Sequence, residues 1–286
     1  MHKKLLSQLA VVITVLAMAV AGFVASPTAR AVDPEVHQGN KVNFPGNDGQ
    51  PHEATWDKNS FMIDGERLQI WSGELHHWRV PSEDGWRDVL QKLRASGYNA
   101  VSLYFFWGMH QSVEGGEFDF SAPHNIDRLL EMAAEEGLYV IARPGPYVNA
   151  EISMGGLPGF MVNKNAGSLR STDPSVLEPS KAWLSAFNDV VRDHQVTDGG
   201  GSVLLYQIEN ELLGDQQWRR DFLTALTTHV VDDGITVPVF HNDWGMGGRF
   251  SDVDTYGAVR SSPTRPSRAN GAWATSATAS PPSTTT

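Results

Sequence analysis

The feature that most constrains the fold is a repeated alternation of short apolar segments with amphipathic segments between residues 67 and 242. The apolar segments are rich in β-branched and aromatic residues, which is typical of buried strands. Each of the first four is followed by a segment whose apolar residues recur at helical spacing. The predicted strands are "RLQIWSGEL" (67–75), "NAVSLYFFW" (99–107), "LYVIARP" (138–144), "SVLLYQIEN" (202–210) and "VPVFHN" (237–242).

The segments between these strands carry end signals of helices as well as helical periodicity. In the first of them Ser82 can cap the N-terminus, Glu83 and Asp84 suit the first turn, and Gly97 can end the helix. The predicted helices are 82–97, 122–137, a helix within 175–195, and 215–234.

Strands that alternate with helices predict an α/β fold with a parallel sheet covered by helices. Two architectures fit, an open doubly wound sheet and a (β/α)₈ barrel. No G-x-G-x-x-G follows the first strand and no phosphate loop is present, so nucleotide sites lack support. Polar and aromatic residues gather at the predicted carboxyl ends of the strands, where barrels carry their chemistry, and this favours the barrel. Because only about five to six strands are found where a barrel needs eight, we expect an incomplete TIM barrel.

The N-terminus carries the pattern of an export signal. Lys3 and Lys4 precede a long apolar run, and Ala29-Arg30-Ala31 is a small-x-small cleavage site. An uncleaved membrane anchor is the alternative, because the apolar run is long for a signal. We therefore predict a secreted protein that leaves the membrane after signal cleavage. The predicted division is a secretory signal peptide (1–31), an irregular leader (32–55), a partial barrel (56–257) and a disordered Ser/Thr/Pro/Ala-rich tail (258–286).

Composition narrows the class of partner. The net charge of −11 argues against nucleic acid and anionic membrane surfaces. The absence of cysteine excludes disulfides, thiol nucleophiles and cysteine metal sites. Nine tryptophans are either packing residues or platforms for sugar rings. The histidines lie on separate elements or next to one another, so we predict no metal site and no cofactor.

Two carboxylates end the fourth predicted strand, in "VLLYQIENELLG" (203–214). Residues i and i+2 of a strand share a face, so Glu209 and Glu211 are expected on one face, with Glu211 at the rim. The alternative is a pair of solvated acids that stabilise a helix N-terminus. The preceding strand leads into a loop rich in Pro and Gly that carries Asn149 and Glu151. This loop is either an ordinary connection or part of a pocket for sugar hydroxyls.

Four motifs together resemble glycoside hydrolase family 35, the β-galactosidases. They are "SGELHHWRVP", "FFWGMHQSVEGGEFDF", "GLYVIARPGPYVNAEISMGGLPGF" and "LLYQIENELLG". The likeness runs in order from about residue 61 to about residue 257. One departure is Met109-His110-Gln111-Ser112, where many members have His-Glu-Pro.

The resemblance implies a (β/α)₈ barrel that hydrolyses terminal β-galactosyl residues with retention. It implies that Glu211 is the general acid/base and that Glu209 has a supporting role. The expected partner is a β-galactoside oligosaccharide or polysaccharide. The residues that match positions holding the galactosyl unit are Tyr104, Asn149, Ala150, Glu151 and Asn210.

A retaining enzyme needs a second carboxylate as nucleophile, about 5–5.5 Å from the first. The resemblance places it on a Glu at the end of the seventh strand, but no Glu follows Glu211 in this sequence. We therefore expect no nucleophile in this chain, which reads as a truncated or altered member, and three hypotheses stay open. The chain is a β-galactosidase with impaired activity, a galactoside-binding remnant, or a fragment that does not fold stably.

Overall fold

The computed structural model describes residues 44–57, 59–213 and 216–242. The predicted signal peptide, most of the leader and the predicted tail lie outside these residues. No helix within the described ranges is long and apolar enough to cross a membrane.

A small antiparallel sheet precedes the barrel strands, and the sequence analysis did not predict it. Its strands are β1 (Ala54–Trp56), β2 (Phe61–Ile63) and β3 (Glu66–Leu68), which pair in that order. β3 overlaps the start of the predicted strand 67–75, and β4 forms its end, so that prediction was wrong in joining two elements. Residues 69–71 belong to neither strand, and Asn99 binds their backbone by accepting a hydrogen bond from Trp71 N and donating one to Gln69 O.

Five parallel strands form the main sheet, and they lie in the order of the sequence. They are β4 (Ser72–Leu75), β5 (Ala100–Tyr104), β6 (Tyr139–Gly145), β7 (Val203–Ile208) and β8 (Val239–Phe240). A doubly wound sheet reverses its strand order at a switch point, whereas a barrel adds each strand on the same side. The observed order is that of a barrel, so the described residues supply five of its strands.

Four helices begin and end close to the predicted positions, and two shorter helices were not predicted. Ser82 caps the first, as predicted, because its side chain accepts a hydrogen bond from Gly85 N. Asn125 and Asp173 cap two others in the same way. The helices are α1 (Glu83–Ala95), α2 (Trp107–His110), α3 (Ile126–Glu135), α4 (Gly159–Asn165), α5 (Pro174–Val191) and α6 (Gln217–Asp232).

The core lies between the parallel sheet and these helices. Trp183 of α5 is fully buried, and its Nε1 donates to Pro144 O at 2.9 Å. Phe187, one turn further along, packs against Phe105 and Tyr206. This buried hydrogen bond from the indole N–H holds α5 against the end of β6, the strand that leads into the predicted sugar-binding loop.

Candidate active site

The polar side chains of the candidate site lie at the carboxyl ends of β4 to β7. Tyr104 at the end of β5 is directly opposite Arg143 of β6 in the strand register. Glu74 is the penultimate residue of β4, and Asn210 and Glu211 follow β7. Parallel strands bring their carboxyl ends to one edge, so residues far apart in sequence meet there.

Arg143 lies at the centre of this group. Its Nη2 donates to Asn210 Oδ1 at 2.9 Å, and its Nη1 lies 3.7 Å from Glu74 Oε2. Its Cζ is 3.8 Å from the centroid of the Tyr104 ring. Burial lowers the pKa of Arg143, and Tyr104, Glu74 and Glu211 oppose that effect. The carboxylate of Glu211 therefore acts on the same guanidinium that holds Asn210.

Tyr104 is held as a neutral phenol. Burial raises its pKa to about 12; the positive charge of Arg143 works against this, and the carboxylates of Glu74 and Glu151 add to it. The ring of His76 packs edge-on against Tyr104 and lies parallel to the Trp78 ring, 4.8 Å away. A hydroxyl that stays protonated near neutral pH can both donate to and accept from a sugar hydroxyl.

Glu209 and Glu211 do not share the face of a strand, so this prediction was wrong. β7 ends at Ile208, and Glu209 and Glu211 both have positive φ, 58° and 49°. This left-handed backbone is uncommon for non-glycine residues, and clusters of it mark functional sites. The two carboxylates of this turn differ in exposure: Glu209 is buried, whereas Glu211 is half-buried.

The Glu209 carboxylate is paired with an arginine from a distant loop. Arg170 donates to Glu209 Oε2 from Nε at 2.9 Å and from Nη2 at 2.5 Å. Only 1% of the Glu209 side chain is exposed, so it has little access to a substrate. The structure is consistent with the supporting role that the resemblance implies for Glu209.

The loop after β6 also has left-handed backbone. Asn149, Ala150 and Glu151 have φ of 58°, 49° and 50° in succession. Arg79 fixes this turn by donating from Nη2 to Ala150 O at 3.0 Å and to Glu151 O at 3.3 Å. Asn149 is half-buried, Ala150 is buried and Glu151 is exposed. Glu151 acts on Tyr104 electrostatically, so the loop faces the same site.

Four further residues of the site were not assigned a role from the sequence. Arg143, Glu74 and His76 lie at or near strand ends, where the sequence predicts a concentration of polar and aromatic residues but no individual role for any of the three. Arg170 lies in the connection between α4 and α5, where no sequence pattern indicates a functional role. Glu74 could have been found from its position, since it is a carboxylate one residue before the end of its strand. Its Oε1 lies 2.8 Å from His76 Nε2.

The described ranges contain no group of three or more histidine, aspartate or glutamate residues placed to hold a metal ion. The site instead offers amides, a phenol, carboxylates and a guanidinium. This donor set can bind several hydroxyl groups and deliver a proton.

Comparison with known proteins identifies the family. The sequence model described as "Glycosyl hydrolases family 35" matches residues 60–281. A probable β-galactosidase C from Aspergillus clavatus is 41% identical over 213 residues, which are 73% of this chain and 21% of that protein. One from Aspergillus fumigatus is 42% identical over 205 residues, 70% of this chain and 21% of that protein. The chain thus spans about a fifth of the length of these relatives.

Solved structures support the fold at low identity. A GH5_18 protein from Streptomyces cattleya, crystallised with GlcNAc, superposes with a TM-score of 0.51 at 18% identity, over 63% of this chain and 47% of that one. An exo-β-1,4-mannosidase from Opitutaceae bacterium strain TAV5 gives 0.50 at 16% identity, over 61% and 32%. The barrel-like strand order, with polar residues at the carboxyl ends of the strands, is consistent with this match. This chain belongs to glycosyl hydrolases family 35.

Proposed function

We propose that this chain is the secreted N-terminal part of a retaining exo-β-galactosidase barrel, with Glu211 as the general acid/base. The observation that carries the proposal is the arrangement around Arg143, which orients Asn210 and is within electrostatic reach of Glu211 and Tyr104. Names of relatives at about 40% identity support a β-galactoside as the substrate.

Glu211 would act twice in this reaction. It gives its proton to the glycosidic oxygen as the bond to the sugar breaks, and it later removes a proton from the water that releases the sugar. Tyr104, Asn149, Ala150, Glu151 and Asn210 would hold the terminal galactosyl unit. Three of these, Asn149 to Glu151, lie on the turn that Arg79 fixes.

The second carboxylate of a retaining site has no candidate glutamate after Glu211 in this sequence. We therefore propose that the chain by itself hydrolyses galactosides poorly. The same fact supports a second candidate function, galactoside binding without turnover.

One experiment separates the two functions. The purified chain is assayed with a chromogenic β-galactoside, and its thermal unfolding is followed with and without galactose. Turnover that Glu211→Gln removes supports the enzyme, whereas a galactose-dependent rise in unfolding temperature without turnover supports the binding protein. A cooperative transition that galactose does not move, with no turnover, contradicts both.

Export is tested separately, by mass spectrometry of protein from the medium, where Val32 is the expected first residue.

A further inference from the structure

The peptide bond between Asn210 and Glu211 is held from both sides. Asn210 O accepts a hydrogen bond from Arg170 Nη2 at 2.5 Å, and Glu211 N donates to Asn242 O at 3.1 Å. Rotation of this peptide plane would break both hydrogen bonds. Because the plane sets the direction in which the neighbouring side chains leave the backbone, the two bonds orient Asn210 and Glu211 together.

Arg170 also neutralises the buried carboxylate of Glu209, at the start of the same turn. Both residues line a small cavity whose other walls are mostly apolar, including Leu157, Met161 and Phe222. Among the described residues, Glu209 Oε1 has no hydrogen-bond partner. A buried charge in apolar surroundings is costly unless it is paired, so the position of Arg170 is strongly determined.

The guanidinium of Arg170 reaches the other loop of the site as well. Its Cζ lies 3.9 Å from the centroid of the Tyr147 ring, a cation–π contact. The Tyr147 hydroxyl donates to Asn149 Oδ1 at 3.4 Å. One side chain, from the loop between α4 and α5, therefore contacts the turn after β7 and the loop after β6.

We propose that Arg170 is a positioning residue that couples the galactosyl-binding loop after β6 to the acid/base turn after β7. The proposal rests on the proposed function for its chemistry but not for its geometry. Only 16% of the Arg170 side chain is exposed, so it has little access to a substrate. It fixes the peptide between Asn210 and Glu211, neutralises Glu209 and supports Tyr147 with one planar group.

Arg170→Lys tests the proposal, because lysine keeps the charge but has no planar fork that could make all three contacts. Hydrogen–deuterium exchange of the full chain is measured by mass spectrometry. We expect exchange to rise about tenfold in segments 147–151 and 209–213, and to change less than about twofold in β5. Galactose affinity, measured by titration, falls about tenfold, since both loops that hold the sugar are loosened.

Two further variants keep the test decisive. Glu209→Gln removes the same ion pair from the other side, and it should raise exchange in the same two segments. Arg192→Lys changes an exposed arginine that is paired with Asp189, and it should change neither segment.

Equal acceleration in all segments, or none, would overturn the proposal, because Arg170 would then be an ordinary stabilising residue or without effect. If the wild-type chain does not bind galactose, the proposed function is contradicted, but the coupling proposal for Arg170 is not. The exchange pattern then still decides whether Arg170 couples the loops.

Discussion

Arg143 donates its Nη2 hydrogen to Asn210 Oδ1 at 2.9 Å, across the carboxyl ends of β6 and β7. This contact assigns the two ends of the Asn210 amide. The oxygen faces the guanidinium, so the NH₂ group is left to donate to a ligand. Asn210 therefore presents a donor to the site, and Arg143 determines that it does so.

Asn210→Asp tests this assignment with a side chain of the same shape. The carboxylate keeps the acceptor for Arg143 and adds an opposite charge, so we expect an unchanged or higher unfolding temperature. The donor towards the sugar is lost, so galactose affinity should fall by about 1–2 kcal/mol, roughly tenfold. Calorimetric unfolding and a binding titration measure the two effects. Full affinity in the variant would mean that the NH₂ group does not contact the sugar.

Gly155 is required for the Tyr147 ring to lie under Arg170. Its φ is 62°, and a Cβ added there would lie 2.0 Å from Tyr147 Cε2. Gly155→Ala should therefore displace the ring and destabilise the fold by about 1–3 kcal/mol, with weaker galactose binding. Gly159→Ala is the matched control, since a Cβ there meets no atom within 4 Å. Urea unfolding of both variants measures the difference, and equal stabilities would contradict the steric argument.

The strand order and most of the helices follow from local patterns. Ser82 is a clear example, because a cap is decided by its own side chain and the next few residues. β3 and β4 were joined in the prediction because "RLQIWSGEL" is continuously extended in character, and the break depends on Asn99, far along the chain.

The site was predictable in part. Tyr104, Asn210 and Glu211 follow from strand ends and from the family resemblance. The pairing of Glu209 with Arg170 does not, because the two residues are 39 positions apart and lie on turns with positive φ. Local periodicity carries no information about such turns, since it describes regular strands and helices only.

His110 makes stability sensitive to acid. Burial lowers its pKa to about 4, and its Nδ1 lies 2.9 Å from Asp119 O. The pKa is about 6.5 in the unfolded chain, so the unfolded state binds more protons between about pH 6.5 and pH 4. Stability is therefore complete above this window and falls as the pH falls through it.

His110→Phe should reduce this loss. The variant gives up one hydrogen bond, about 1 kcal/mol at neutral pH, but it no longer takes up a proton on unfolding. The free energy of unfolding is measured in urea at about pH 7.5 and about pH 5, where linkage predicts a smaller difference for the variant. A difference as large as in the wild type would show that His110 is already protonated in the fold.

The two glutamates of the turn after β7 should respond differently to the same substitution. Glu209→Gln leaves the Arg170 charge without its partner in a buried setting, so we expect about 1–4 kcal/mol of destabilisation. Glu211 is half-buried, and its carboxylate makes no hydrogen bond to any described residue, so Glu211→Gln should leave the unfolding temperature nearly unchanged. Any turnover of a chromogenic galactoside should be lost in Glu211→Gln, because the amide cannot protonate the leaving oxygen. Thermal unfolding and the galactoside assay on both variants measure this contrast. Large destabilisation by Glu211→Gln, with none by Glu209→Gln, would contradict the assignment of the supporting role to Glu209 and of the catalytic role to Glu211.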